Sequence, residues 1–371
     1  MIRLLLVYRY CTLGGVETGI RSRLELLPRH GIEADALFFR DYGGWKSFAN
    51  LHDRAYLSSR KEDFLKLLRE REYDIISVVD TLDVLEWIRE APWWSGALMF
   101  ELRSTYDHTL QELSRLEGHR VDAFVVPSHF QATNVEPHLP KRLRLEVPRH
   151  VVPNFIPVDQ FPPAERYAPA DGGAPVVAWV GRIDPLKNWS DFLAIGDRLL
   201  DRRDVELWMV GGGRSADKER ERFRRSLDGR PVAGALRWWP LLPRKAMPGL
   251  YRELTGSGGI VLLTTRNESF GYAALEAMAA GAPLVTARVG ALPELVRDGV
   301  DGLLYPSGDV EKAAELALDL LGDPDRRKAL GRAAAARVRE KFDPERCLAT
   351  FAEVVQLTVE RRRGDASGSV E

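Results

Sequence analysis

A chain of 371 residues with 45% hydrophobic content has room for two α/β domains, each with its own core. A formal net charge of −1 excludes a global field that would draw nucleic acid. Two cysteines, Cys11 and Cys347, exclude a disulfide framework and fit a reducing cytoplasm.

The opening apolar run, residues 2–10, is too short to span a bilayer and lacks a signal-peptide cleavage pattern. No later run reaches membrane-spanning length, which leaves only peripheral membrane contact open. In the first half, strands are expected over residues 3–10, 33–40, 74–80, 97–103 and 122–128. Helical periodicity fills 16–29, 62–71, 82–90, 106–116 and 130–138. Strands alternating with helices of this length imply a parallel sheet. A second series follows the Pro/Ala/Gly-rich stretch 161–175, with strands over 176–182, 205–210, 236–239, 260–265, 284–287 and 302–305. The fold class is therefore α/β: two Rossmann-like, doubly wound halves, joined by a proline-rich hinge and facing across a crevice. Asp343-Pro344 interrupts a long helical tail, and the small, polar residues 364–371 are expected to be disordered.

The segment richest in chemistry runs from Glu268 to Glu276. Two glutamates flank Gly271, directly after the apolar run 259–265. That run reads as a buried parallel strand, and 272–280 reads as a helix ended by Gly281 and Pro283. Glu268 then lies in the loop at the carboxyl end of the strand, and Glu276 lies inside the helix. A helix tip suits phosphate, and carboxylates accept hydrogen bonds from a diol. Together they describe a nucleotide-sugar site. Taken alone, Glu276 reads equally well as a solvated helix residue.

Other segments add weight. Gly14-Gly15 follows the first strand and lets backbone amides approach a ligand, although a tight turn needs no ligand at all. In Gly181-Arg182-Ile183-Asp184-Pro185-Leu186-Lys187-Asn188, two cations in one loop converge on one anion; the plainer reading is surface salt-bridging, with Asn188 or Ser190 capping the next helix. Gly211-Gly212-Gly213 does not fit a dinucleotide fingerprint and reads as a turn at the nucleotide edge, or simply as a turn. A metal site is not evident. The literal Asp-x-Asp match, Asp323-Pro324-Asp325, reads as a helix start, and no Cys/His cluster has zinc spacing.

The run Leu275-Glu276-Ala277-Met278-Ala279-Ala280-Gly281-Ala282-Pro283, continuing to Pro293-Glu294-Leu295-Val296, resembles the retaining GT-B-fold glycosyltransferases. More narrowly it looks like the glycogen-synthase-like, mannosyl- and glucosyltransferase group, the glycosyl transferases group 1. Further matching segments extend the resemblance over most of the chain. It implies an acceptor-side domain over 1–160, a donor domain over 173–342, and a last helix, 345–363, that packs back on the first domain. It also implies transfer of a hexose from a nucleoside-diphosphate sugar to a hydroxyl acceptor (glycan, lipid-linked or small-molecule), with no cofactor and no metal.

Carried over residue by residue, the resemblance makes Glu268, Arg182 and Lys187 catalytic. Ser269, Phe270, Gly271 and Tyr272 would hold sugar and diphosphate, and Glu276 the ribose. Leu241 would meet the base, and Gly14 and Gly15 would reach the diphosphate. The implied mechanism is front-face displacement, in which the departing phosphate oxygen takes the acceptor proton. The sequence departs from the family at Pro240 and Phe155, where glycine is usual, and at Glu101-Leu102-Arg103, where many members carry a histidine. Arg103 is assigned there to an anionic acceptor group. Two rivals stand beside this reading: a nucleotide-sugar epimerase or hydrolase, and a non-catalytic nucleotide-sugar-binding subunit. Interconversion or hydrolysis without acceptor would favour the first. Intact Glu268, Arg182, Lys187 and Glu276 argue against the second.

Overall fold

Apolar runs without polar alternation mark strands covered on both faces. Leu4, Leu5, Leu6 and Val7 are all fully buried. Leu4 and Leu6 join one core cluster, and Leu5 and Val7 join another, because successive side chains point to opposite faces of the sheet. The computed structural model describes residues 1–12, 14–167 and 173–367.

The first unit comprises Met1–Phe155 and the chain from Pro344 onward. Its strands are β1 (Ile2–Cys11), β2 (Ile32–Asp41), β3 (Ala55–Leu57), β4 (Ile75–Val79), β5 (Ala97–Glu101), β6 (Ala123–Val126) and β7 (Arg149–Val151). They form a parallel sheet in the order β3-β2-β1-β4-β5-β6-β7. The order reverses between β1 and β4, which puts the loop after β1 at the switch point where such sheets bind ligands. The short edge strands β3 and β7 and the helix Lys141–Glu146 have no counterpart in the expected elements.

The second unit is Ile156–Asp343. It carries β8 (Val176–Val180), β9 (Glu206–Val210), β10 (Leu236–Trp239), β11 (Ile260–Leu263), β12 (Leu284–Ala287) and β13 (Leu303–Tyr305). All are parallel, in the order β10-β9-β8-β11-β12-β13. Here the order reverses between β8 and β11. The loops after these two strands hold Arg182, Lys187 and Glu268, so the topology sets the Arg182–Lys187 loop beside the loop of Glu268.

Of the stretch 161–175, expected as the hinge, residues 161–167 and 173–175 fall in the second unit, and 168–172 lie outside the described residues. Phe161 is packed in that unit's core, and its carbonyl accepts from Arg339 Nη2 at 3.1 Å. The Ala164 amide donates to the Ala280 carbonyl at 3.0 Å, and Tyr167 is buried. The last helix runs Pro344–Ser367, and Cys347, Leu348, Phe351 and Val355 pack in one cluster with Leu4 and Leu6 of β1. Pro at its start costs no hydrogen bond. The tail expected to be disordered is helical through Ser367, and its last four residues, 368–371, lie outside the described residues. Among the described residues no helix is long and apolar enough to cross a membrane.

Candidate active site

The loop after β8 is stapled to the end of β11. Thr264 Oγ1 donates to the Asn188 carbonyl at 2.8 Å and receives a bond from Trp179 Nε1 at 3.1 Å. Thr265 Oγ1 donates to the Leu186 carbonyl at 3.0 Å, and the Arg266 amide donates to the same carbonyl at 2.8 Å. Asn188 sits at φ 52°, a conformation that costs energy for a side-chain-bearing residue and is held by these bonds. It stands at the N-cap of the helix Trp189–Leu200, but its side chain does not cap. Asn188 Nδ2 donates to Asp191 at 2.6 Å, and Ser190 Oγ donates to Asn188 Oδ1 at 3.0 Å. The capping role expected of Asn188 or Ser190 is thus replaced by a side-chain pairing within the first turn.

This stapling delivers Lys187 Nζ onto Glu268 Oε1 as a direct hydrogen-bonded ion pair. The pair is part-buried: the Lys187 side chain keeps 21% of its exposure and Glu268 keeps 14%. Asp184 fixes the loop from within, accepting from the Lys187 amide at 2.9 Å and lying 3.2 Å from Arg182 Nε. Arg182 itself is 62% exposed at the side chain.

Two glycine turns let the loops come this close. Gly211 has φ 107°, and a Cβ there would lie 2.3 Å from the Gly181 carbonyl oxygen. Gly290 has φ 55°, and its Cβ would lie 2.3 Å from the Glu268 carbonyl oxygen. The triple glycine after β9 is therefore the floor on which the Arg182 loop rests.

Gly271, at φ 105°, turns the chain into the helix Tyr272–Ala279. The first amides of any helix have no partner inside it, and the helix Tyr272–Ala279 begins four residues after Glu268. Phe270 is buried, edge-on to Phe342 with centroids 5.7 Å apart, which anchors this tip to the core. Glu276, five residues into the helix, is 8% exposed and not a solvated helix residue. Burial pushes its carboxyl up from the usual range, and Arg244 opposes that rise. Arg244 Nη2 lies 3.6 Å from Glu276 Oε1. No sequence pattern had singled out Arg244, because its partner stands far along the chain. Leu241 is 57% exposed, and the Pro240 carbonyl before it accepts from the Gly213 amide at 2.8 Å. Proline supplies that acceptor as well as glycine would.

In the first unit, Gly14 caps the helix Gly15–Leu26 with φ −91°, so glycine is not needed there for a positive φ. It is needed for space: a Cβ would lie 3.0 Å from Glu17 Oε2 and 3.1 Å from Thr12 Oγ1. Glu17 Oε1 accepts from the Thr12 amide at 2.8 Å and from Thr12 Oγ1 at 2.6 Å.

Arg103 does not stand open to an acceptor. It is buried, its Nε donates to Glu101 Oε2 at 2.8 Å, and its Nη1 donates to Asn154 Oδ1. Glu101 has no exposure and also accepts from Ser77 Oγ at 2.7 Å and from Arg23 Nη1 at 2.7 and 3.0 Å. The departure from the family histidine is a buried ion cluster. Asp323-Pro324-Asp325 is a helix start as expected, with Asp323 accepting from the Arg326 amide at 2.9 Å.

Two parallel sheets with loops at matched switch points, one loop pair joining a lysine to a glutamate at a helix tip, define a class of two-unit α/β proteins with the GT-B architecture. Residues 164–337, within the second unit, match the family model described as glycosyl transferases group 1. Among curated relatives, a D-inositol 3-phosphate glycosyltransferase of Segniliparus rotundus is 36% identical over 168 residues, 45% of this chain and 36% of the relative. A 2-deoxystreptamine N-acetyl-D-glucosaminyltransferase of Streptomyces fradiae is 30% identical over 207 residues, 53% of this chain and 45% of the relative. The chain thus spans less than half the length of these relatives. Among solved structures, Anabaena Alr3699/HepE in complex with UDP and glucose aligns with a TM-score of 0.78 at 18% identity, covering 96% of this chain and all of that one. The sucrose-phosphate synthase of Thermosynechococcus elongatus aligns with the same TM-score and identity, covering 96% of this chain and 99% of the other. At such identity the likeness is one of fold.

Proposed function

We propose that the chain is a retaining glycosyltransferase that moves a hexose from a nucleoside-diphosphate sugar to a hydroxyl acceptor, without a metal ion. The observation that carries this reading is the contact of Lys187 with Glu268 at the tip of the helix that holds Glu276. A cation, a helix N-terminus and two carboxylates in one place suit a diphosphate flanked by two sets of hydroxyls. Arg182 and Lys187 oppose the negative charge that grows on the diphosphate as the bond to the sugar breaks. Glu268 holds the sugar hydroxyls, and Glu276 the ribose. The bond from the anomeric carbon to phosphate oxygen breaks and the bond to the acceptor oxygen forms on the same face. The acceptor proton passes to the departing phosphate oxygen, so no protein base is required. HepE holds UDP and, in a second structure, UDP-glucose, which supports a UDP-hexose as the first donor to try. The two curated relatives differ from each other in named acceptor, so likeness to them by itself selects none.

A thermal-shift screen of UDP-, GDP- and ADP-hexoses tests the donor. A ligand at a hundred times its dissociation constant adds about 2.7 kcal/mol of stability. Transfer from the selected donor, followed by the configuration of the new anomeric centre, tests the rest. A flat response to every nucleotide sugar, or an inverted product, would overturn the reading.

A further inference from the structure

Two elements besides its own helix bring titratable groups to Glu276. From the turn Arg244–Ala246 comes the guanidinium of Arg244, with Nη2 3.6 Å from Glu276 Oε1. From the helix Met247–Gly256 comes the phenol of Tyr251, fully buried, with its hydroxyl 3.5 Å from the Ala273 carbonyl that accepts from it. On its own helix the titratable neighbour one turn back is Tyr272. Arg244 is thus the one positive charge among these groups. The Glu276 side chain keeps 11% of its exposure and that of Arg244 keeps 27%.

A carboxylate serves a diol only while ionised, since it must accept both hydrogen bonds. Burial works against that state and pushes the Glu276 carboxyl up, while Arg244 works for it. Tyr251 stays protonated, its own ionisation pushed up by burial and by Glu276. The 3.6 Å separation is long for a hydrogen bond, so Arg244 acts through its charge while the Glu276 oxygens stay able to accept from hydroxyls.

We infer that Arg244 is a positioning residue for the nucleotide: it holds the Glu276 carboxylate in the charge and orientation that a ribose diol needs. The inference rests on the assignment of Glu276 to ribose given above. It goes further in naming the residue on which that recognition depends, and the part of the ligand, the ribose, through which that dependence runs.

The probe is whichever of UDP, GDP and ADP gives the largest thermal shift, compared with its 2′,3′-dideoxy analogue. Binding is measured by calorimetry from pH 6 to 8.5 for the parent, Arg244→Gln, Arg244→Lys, Glu276→Gln and the double variant. Each variant is read as a ratio to the parent, so that the diphosphate's own titration cancels. Without Arg244 the Glu276 carboxyl rises further, so Arg244→Gln should bind the diphosphate about fivefold or more weakly at pH 6 and recover as pH rises. Arg244→Lys should restore most of the affinity. Neither change should matter for the dideoxy analogue, and Arg244→Gln should add nothing to Glu276→Gln. A pH-independent loss shared by the dideoxy analogue would mean that Arg244 meets the diphosphate itself, and would overturn the inference. So would Arg244→Gln binding like the parent while Glu276→Gln binds weakly. If Glu276→Gln binds like the parent, it is the ribose assignment of Glu276 that has failed.

Discussion

Two of the chain's glutamate–cation pairings, at Glu101 and at Glu268, are built differently. In the first unit Glu101 has no exposure and takes donors from Arg23, Arg103 and Ser77. Arg23 also lies over the ring of Phe351, 3.8 Å from its centroid, and Arg103 reaches Asn154. The cluster ties the end of β5 to the helix Gly15–Leu26, to the last helix and to the segment after β7. Burial pushes the Glu101 carboxyl up, but Arg23 and Arg103 outweigh it and hold it down to about 2. In the second unit Lys187 and Glu268 form a single part-buried pair on two loops. A carboxylate saturated by donors has nothing left for a ligand. One held by a single lysine at the mouth of a switch-point loop can trade that contact for a substrate's. Saturation, more than charge, separates the cluster at Glu101 from the pair at Glu268.

The difference can be tested by removing each carboxylate. Glu101→Ala strands two buried guanidinium groups and should cost about 3–5 kcal/mol of stability, enough to unfold the first unit. Chemical denaturation followed by tryptophan fluorescence is the measurement; a variant as stable as the parent would make the cluster ornamental. The parent should show the same dependence on pH. Because the folded Glu101 carboxyl lies below its ordinary value, its contribution is complete above about 4.5 and is lost as pH falls toward about 2. Glu268→Ala should leave stability nearly unchanged and lose about 2–4 kcal/mol of transition-state stabilisation, about a thirty- to thousandfold fall in transfer rate. Near-parental turnover with intact fold would remove Glu268 from the reaction.

Local pattern marks the second unit's candidate residues and hides the first unit's ion cluster, for reasons visible in these same residues. Glu268 and Glu276 belong to one strand–loop–helix passage, bounded by the apolar run before it and by Gly281 and Pro283 after it. Local pattern therefore sets their geometry. Arg182 and Lys187 share a loop, and the parallel order of the sheet carries that loop to Glu268. The surroundings of Arg103 leave no local pattern because its partners, Glu101 apart, come from distant positions: Asn154 follows β7, while Glu101 is shared with Arg23 on the first helix. Arg244 escaped notice for the same reason. The strands β3 and β7, three residues each, are too short to show a period. The crowding around Gly14 comes from the Glu17 and Thr12 side chains and leaves no mark in the spacing.

Within the second unit, the same contrast of saturation predicts a graded response. Glu276 is more buried than Glu268 and lies farther into the helix, away from the loop that holds Lys187. Its contacts with ribose should bind ground and transition states alike, so Glu276→Ala should raise the donor KM by the equivalent of about 1–3 kcal/mol and change kcat little. An equal fall in kcat would place Glu276 near the breaking bond. The smallest effect is expected from chelation. With Arg182 and Lys187 on the diphosphate, exhaustive treatment with EDTA should leave the transfer rate unchanged. If activity vanishes and magnesium or manganese restores it, the growing phosphate charge is met by a metal ion. The exposed Arg182 and the lysine paired with Glu268 would then serve only to order the two loops.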